Sequence, residues 1–121
     1  MNRLAALAAL PLTVLLATPS RADITTKQFI QLYFSPDGQD LGALRIGAME
    51  QGIHEVNATL AQAQPPAPLY CQPDALVMTA SQLADMVKRA TEKNSKLEDQ
   101  PLASTLLGVL RATFPCTAPG K

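Results

Sequence analysis

The apolar positions of the chain fall into one unbroken run followed by several spaced helical patterns. Arg3 precedes the continuous apolar stretch Leu4 to Ala17, which closes on Thr18-Pro19-Ser20-Arg21-Ala22, small at the last position and third from last. At 1.5 Å per residue that stretch spans about 21 Å, against about 30 Å of bilayer hydrocarbon. It reads as a Sec-type signal peptide over residues 1–22, cleaved after Ala22, and not as a membrane anchor. Beyond it, Thr25 and Gln28 have capping-box spacing ahead of Phe29, Ile30, Leu32 and Tyr33, which predicts a short first helix ending at Ser35-Pro36-Asp37-Gly38. From Gln39 to Gln62, Leu41, Leu44, Ala48, Met49, Gly52, Ile53, Val56 and Leu60 recur at spacings of three and four, the signature of one long amphipathic helix.

Gln64 to Tyr70 carries Pro65, Pro66 and Pro68, so it cannot continue a helix and is expected as an extended surface connector. After a turn at Cys71-Gln72-Pro73-Asp74, the Thr79 and Gln82 pair again has capping-box spacing and opens a third helix that buries Leu83, Met86, Val87 and Ala90. The polar stretch Lys93 to Gln100 reads as a loop. Pro101 suits a first helical turn, with Leu102, Leu106, Val109, Leu110 and Phe114 on the inner face of a fourth helix that ends before Pro115. The expected fold is therefore all-α, a small four-helix bundle-like domain over residues 23–121.

Three glycines interrupt the long second helix, at Gly42, Gly47 and Gly52, each at a cost of about 1 kcal/mol relative to alanine. Gly52 falls within the apolar stripe, where it either admits a neighbouring helix closely or merely weakens the rod. Arg45 projects near the same stripe and is expected to snorkel to water or to meet an acid.

Composition narrows the class. With 47% hydrophobic, 17% charged and 4% aromatic residues and no Trp, the chain is too apolar for a disordered charged tail, and its core must be aliphatic. Ten basic residues balance ten acidic ones with no run of like charge, which argues against nucleic acid as a partner. Removing the leader leaves a formal net charge of −2 and no further apolar stretch long enough to span a membrane. Cys71 and Cys116 both lie in the exported part, where a disulfide is the default for an even pair. Closing that loop of about 46 residues is worth about 4 kcal/mol in the chain-entropy model.

Candidate chemistry is sparse. Every histidine-dependent scheme passes through His54, whose i−4 neighbour Glu50 shares a polar helix face, and no third metal ligand can be named. Glu98 and Asp99 sit in a polar segment that offers no desolvation. The chain contains no GxxxxGK[ST], GxGxxG, GxSxG or HExxH. These residues point to a binding protein without catalytic residues, cofactor or metal.

Leu69-Tyr70-Cys71-Gln72-Pro73, then Thr79-Ala80-Ser81-Gln82-Leu83 leading into Met86-Val87, and finally Leu106 to Leu110 closing on Phe114-Pro115-Cys116 resemble the Rap1a/Tai immunity proteins. Upstream, Met49-Glu50-Gln51-Gly52-Ile53 is similar to that family's helix bearing a Tyr-x-x-Gly element, with Met49 in place of the aromatic residue. The further cysteine pair that such proteins often carry in the N-terminal half is missing. The resemblance implies a periplasmic protein, frequently a homodimer, that inhibits a peptidoglycan amidase effector of type VI secretion by covering its catalytic groove. For that task the expected contact surface is Lys93, Asn94, Ser95, Lys96, Leu97, Glu98 and Asp99, with the Pro65 to Tyr70 connector second. The competing reading is a periplasmic acid-stress chaperone of the HdeA kind, also small, helical and closed by a disulfide.

Overall fold

The computed structural model describes residues 23–117, so the signal-peptide reading of residues 1–22 lies outside it. Four helices follow one another: α1 over Thr26–Tyr33, α2 over Gln39–Ala61, α3 over Ala80–Lys93 and α4 over Leu102–Thr113. A 3₁₀ turn over Ser95–Asp99 joins α3 to α4. The all-α expectation holds, and the one sheet-like feature among the described residues is an isolated antiparallel bridge between Thr25 and Pro101.

Both capping boxes form. Thr25 Oγ1 accepts from the Gln28 amide at 3.2 Å while Gln28 Oε1 accepts from the Thr25 amide at 2.9 Å. Thr79 and Gln82 repeat the pattern at 3.2 and 2.9 Å, which satisfies donors that the first helical turn leaves free. The bridge ties the starts of α1 and α4 together, since Leu102 N donates to Ile24 O and Thr26 N donates to Gln100 O, both at 2.9 Å. Beneath it, Thr26 Oγ1 lies 3.1 Å from Gln100 O and 2.8 Å from Thr105 Oγ1. Thr26 thus donates to the carbonyl and accepts from Thr105, so two buried hydroxyls are paired inside an apolar core.

That core draws Phe29 and Tyr33 from α1, Ile46 from α2, Leu83, Ala84 and Val87 from α3, and Leu102, Leu106 and Leu110 from α4. Tyr70 joins them from the connector, 1% exposed. The connector is therefore not a plain surface loop: its last residue is a core residue. The cause is Asn57, a buried amide on α2 whose Oδ1 accepts from the Leu69 and Tyr70 amides at 2.6 and 3.2 Å and whose Nδ2 donates to Tyr70 O at 2.9 Å.

Helix α2 is turned differently from the expected stripe. Gly42, Ile46 and Asn57 are its buried residues, with Met49 and Ile53 packed partly against the core. Leu41, Leu44 and Val56 are 55%, 73% and 55% exposed. Apolar residues occur nearly all round this helix, so the pattern alone did not select the inner face. Close approach did: a Cβ on Gly42 would lie 3.0 Å from Tyr33 Cα and Cβ, so α1 crosses α2 at this glycine. At Gly52, by contrast, a Cβ would meet nothing within 4 Å, so the close helix approach considered there does not occur among the described residues. Arg45 is half-buried and forms no ion pair among the described residues.

Two boundaries also differ. Pro101, with φ −54° and ψ 137°, stands before α4 as its N-cap residue and not within the first turn. The stretch expected as a loop from Lys93 to Gln100 is largely the end of α3 and the 3₁₀ turn. Asn94 explains this, because its Oδ1 accepts from Lys96 N at 3.2 Å and starts the turn.

Candidate protein-binding surface

Cys71 and Cys116 are joined as expected, with their Cα atoms 4.9 Å apart. The disulfide links the segment before α3 to the segment after α4. Its surroundings are pinned twice more: Cys71 N donates to Phe114 O at 2.8 Å, and the two preceding residues are held by Asn57. Three consecutive residues, Leu69, Tyr70 and Cys71, are thus fixed to α2 and to the end of α4.

The segment chosen from sequence for partner contact is only partly a free surface. Lys93 is the last residue of α3; Asn94, Ser95, Lys96 and Asp99 are exposed, while Leu97 and Glu98 are half-buried. The turn is closed by Leu97 N donating to Asn94 O and Gln100 N donating to Leu97 O, both at 3.1 Å. It is a firm, short platform.

Next to it runs an apolar groove between α3 and α4, about 590 Å³, lined by Met86, Arg89, Ala90, Lys93, Val109, Ala112 and Thr113. Met86, Ala90 and Val109 were expected in the core; they are half-buried and form its walls instead. The physical reason is that α3 turns Leu83, Ala84, Val87 and Thr91 inward, one step round from the expected face. Arg89 and Lys93, four residues apart on α3, place two cations on the rim of this groove. The sequence signal for it was present in that spacing, but helical periodicity cannot distinguish a core wall from a groove wall. With apolar walls and a basic rim, the groove suits an apolar side chain flanked by carboxylates on another protein.

The remaining candidates do not assemble a reactive centre. Glu50 and His54 line a cleft with Gln51, Gln72, Asp74, Leu76, Val77 and Met78, and His54 is exposed. Among the described residues no three His, Cys, Asp or Glu side chains come together as a metal site, and no helix is long and apolar enough to cross a membrane. Tyr70 Oη is buried with no hydrogen-bond partner among the described residues. Burial, with a smaller contribution from the Glu50 charge, raises the Tyr70 pKa above its ordinary value, so the phenol is held neutral. A buried neutral phenol beneath the connector is a packing element, not an exposed base. Compared with protein-family models, with curated proteins and with solved structures, the chain gives no match. What the fold and surface define is a class: a small all-α protein closed by a disulfide, with a basic-rimmed apolar groove beside a rigid turn.

Proposed function

We propose that this chain is a periplasmic binding protein of the immunity type, which inhibits a peptidoglycan amidase effector by lying over its catalytic groove. The observation that carries the reading is the meeting of its two signature segments. Tyr70-Cys71-Gln72-Pro73 and Phe114-Pro115-Cys116 are joined by the disulfide and by the Cys71 amide bond to Phe114 O, so they form one structural unit. An occluding inhibitor needs a rigid surface and no chemistry of its own. A preformed surface loses less entropy on association than one that must order, and the anchored connector, the capped 3₁₀ turn and the helical groove meet that need.

In this reading the α3–α4 groove and the adjoining turn make the contact, with Arg89, Lys93 and Lys96 opposite acidic groups of the amidase. A second copy of the chain is the other partner this reading implies. Calorimetric titration against the cell-wall amidase encoded beside this chain, with peptidoglycan hydrolysis followed in parallel, tests it. Nanomolar binding with stoichiometric inhibition is expected, and Arg89→Glu with Lys93→Glu weakens binding at least tenfold. A neighbourhood that encodes no secreted effector, or an amidase that binds no tighter than millimolar, removes the toxin-blocking role and leaves the fold.

A further inference from the structure

Where α2 meets the segment leading into α3, the chain gathers acceptors without donors. Glu50 is half-buried on α2, and among the described residues it pairs with neither His54 nor any lysine or arginine. Gln72 lines the same cleft, of about 190 Å³. Its Nε2 donates to Leu76 O at 2.6 Å, which fixes the amide, since the reversed amide would set oxygen against oxygen. Gln72 Oε1 is thereby held where it is buried and has no partner among the described residues. Tyr70 Oη is the other such atom, and it lies near enough to Glu50 to feel its charge. The two buried side-chain oxygens left unsatisfied in the described fold thus both belong to the surroundings of one unpaired carboxylate. A buried acceptor without a donor costs free energy, so this concentration in one place calls for a cause.

The lining of the cleft selects what would supply the donors. Exposed Asp74 adds a second carboxylate, and neither lysine nor arginine is among the lining residues. Leu76, Val77 and Met78 give the cleft an apolar side, with Leu76 39% and Val77 83% exposed. The matching occupant is a cation rich in donors on an apolar stem. A primary ammonium on a four-carbon chain has that character: three donors, no acceptor, and methylenes that pack on leucine and valine. A guanidinium favours the paired oxygens of one carboxylate, whereas the acceptors here belong to separate side chains. Among the described residues no three acids or histidines come close enough together to hold a metal ion. Size selects the source of the ammonium. The cleft is smaller than the roughly 300–1,000 Å³ of sites that enclose a small-molecule ligand. A free alkylamine has so few atoms that it binds a cleft open to solvent no tighter than about millimolar. A lysine of another polypeptide brings the rest of its chain to lay over the exposed Val77.

We propose that the cleft between α2 and the Gln72–Met78 segment binds a lysine side chain of a partner protein, its ammonium donating to the Glu50 carboxylate and Gln72 Oε1 and its stem lying on Leu76, Val77 and Met78. The cleft shares no residue with the α3–α4 groove and has the opposite sign, carboxylates in place of cations. Lysine capture therefore stands or falls separately from amidase inhibition.

Nuclear magnetic resonance titration of the isotope-labelled protein with a blocked alanine peptide carrying one central lysine tests it. Saturable shifts are expected at the Gln72 side-chain amide and at the backbone amides of Glu50 and Val77, with affinity at least threefold tighter than that of n-butylammonium. The same peptide with norleucine keeps the stem, loses the ammonium and is expected to bind at least tenfold more weakly. Glu50→Gln keeps the shape of the side chain and the Gln72 bond to Leu76, and is expected to weaken the lysine peptide at least fivefold with an unchanged melting temperature. Gln72→Met, which fills the same space without an acceptor, weakens it at least threefold. Absence of shifts confined to the cleft, a norleucine peptide that binds equally, or full binding by Glu50→Gln overturns the proposal. An arginine peptide that binds more tightly overturns the choice of ammonium, and butylammonium as tight as the peptide overturns the polypeptide source. Arg89→Glu with Lys93→Glu is expected to retain the lysine peptide, so failure of amidase binding and failure of lysine capture are read apart.

Discussion

Asn57 is the polar residue on which the fold depends most, and truncating it puts a number on that dependence. Asn57→Ala removes three hydrogen bonds, from Leu69 N, from Tyr70 N and to Tyr70 O, at 2.6, 3.2 and 2.9 Å. The Leu69 amide is part-buried and regains water, but both backbone groups of Tyr70 are left unpaired in the interior. Each such group costs roughly 1–3 kcal/mol, so the variant loses about 2–6 kcal/mol. That is a large fraction of the roughly 5–15 kcal/mol that holds a domain of this size together. In urea, with a slope near 1.5 kcal/mol/M, the unfolding midpoint falls by roughly 2 M. Asn57→Leu supplies the control. It fills the space with a residue of similar size and adds apolar surface, yet leaves the same amides and carbonyl unpaired, so it fails to restore stability. Thr59→Ala, on an exposed neighbouring position, changes the midpoint little. Equilibrium unfolding followed by helical circular dichroism decides the matter. A leucine variant as stable as the unmodified protein would falsify the hydrogen-bond account and leave Asn57 a mere space-filler.

The glycines of α2 part company: Gly42→Ala forces a Cβ against the Tyr33 backbone and is expected to cost about 1–3 kcal/mol, whereas Gly47→Ala, with nothing within 4 Å, gains up to about 1 kcal/mol. Equal thermal shifts for the two would contradict the α1–α2 crossing. Tyr70→Phe removes an unpartnered buried hydroxyl and is expected to match or exceed the unmodified protein in stability near neutral pH. Because the folded phenol has a raised pKa, its contribution is fully present below the unfolded value of 10.0 and is lost as pH rises through the folded one. Stability against alkaline pH therefore falls more steeply in the unmodified protein than in Tyr70→Phe, and identical profiles would refute the shift. Reduction of Cys71–Cys116 is expected to cost up to about 4 kcal/mol and to lower the melting temperature by about 10 °C or more; an unchanged melt contradicts its structural role. Among the described residues the one ion pair is the exposed Lys88–Glu92 contact at 3.9 Å, so few carboxylates hold this fold. Circular dichroism at about pH 2.5 is expected to retain the helices, and an acid-opened state that protects client proteins would favour the chaperone reading instead.

The helices were legible in sequence because their ends carry chemistry. Thr25 with Gln28 and Thr79 with Gln82 announce helix starts by spacing alone, and Pro36, Pro65 and Pro115 announce stops. The disulfide was expected from the leader-like first segment and an even cysteine count. The orientation of each helix about its own axis was less legible. For α2, apolar residues at Leu41, Leu44, Ile46, Met49, Ile53 and Val56 surround more than half the cylinder, so any inward face satisfies the pattern. Two non-apolar residues resolve it. Gly42 receives Tyr33, and Asn57 receives the connector. A polar residue four positions after Ile53, ahead of a proline-rich segment that must turn its amides somewhere, was the available signal. Helical spacing does not single it out, because an asparagine within an apolar stripe leaves the period unchanged.

The same ambiguity hid the candidate surface. Met86, Ala90 and Val109 have helical spacing suited to a core, and a core seat and a groove seat demand the same residue types. They differ only in what lies opposite. Leu83 and Val87 belong with Leu106 and Leu110 to the closed core, whereas Met86 and Ala90 line the groove with Val109 and Ala112, smaller on α4, and the space beyond them stays open. Arg89 and Lys93 then determine what that opening favours. Two cations on one rim raise the encounter rate with an acidic partner and reject a basic one, and both effects weaken as salt screens them over about 10 Å. Binding through this groove is accordingly salt-sensitive. Raising ionic strength therefore tests the role of the rim: the partner complex is expected to loosen, and one that holds equally well in high salt would not be steered by Arg89 and Lys93.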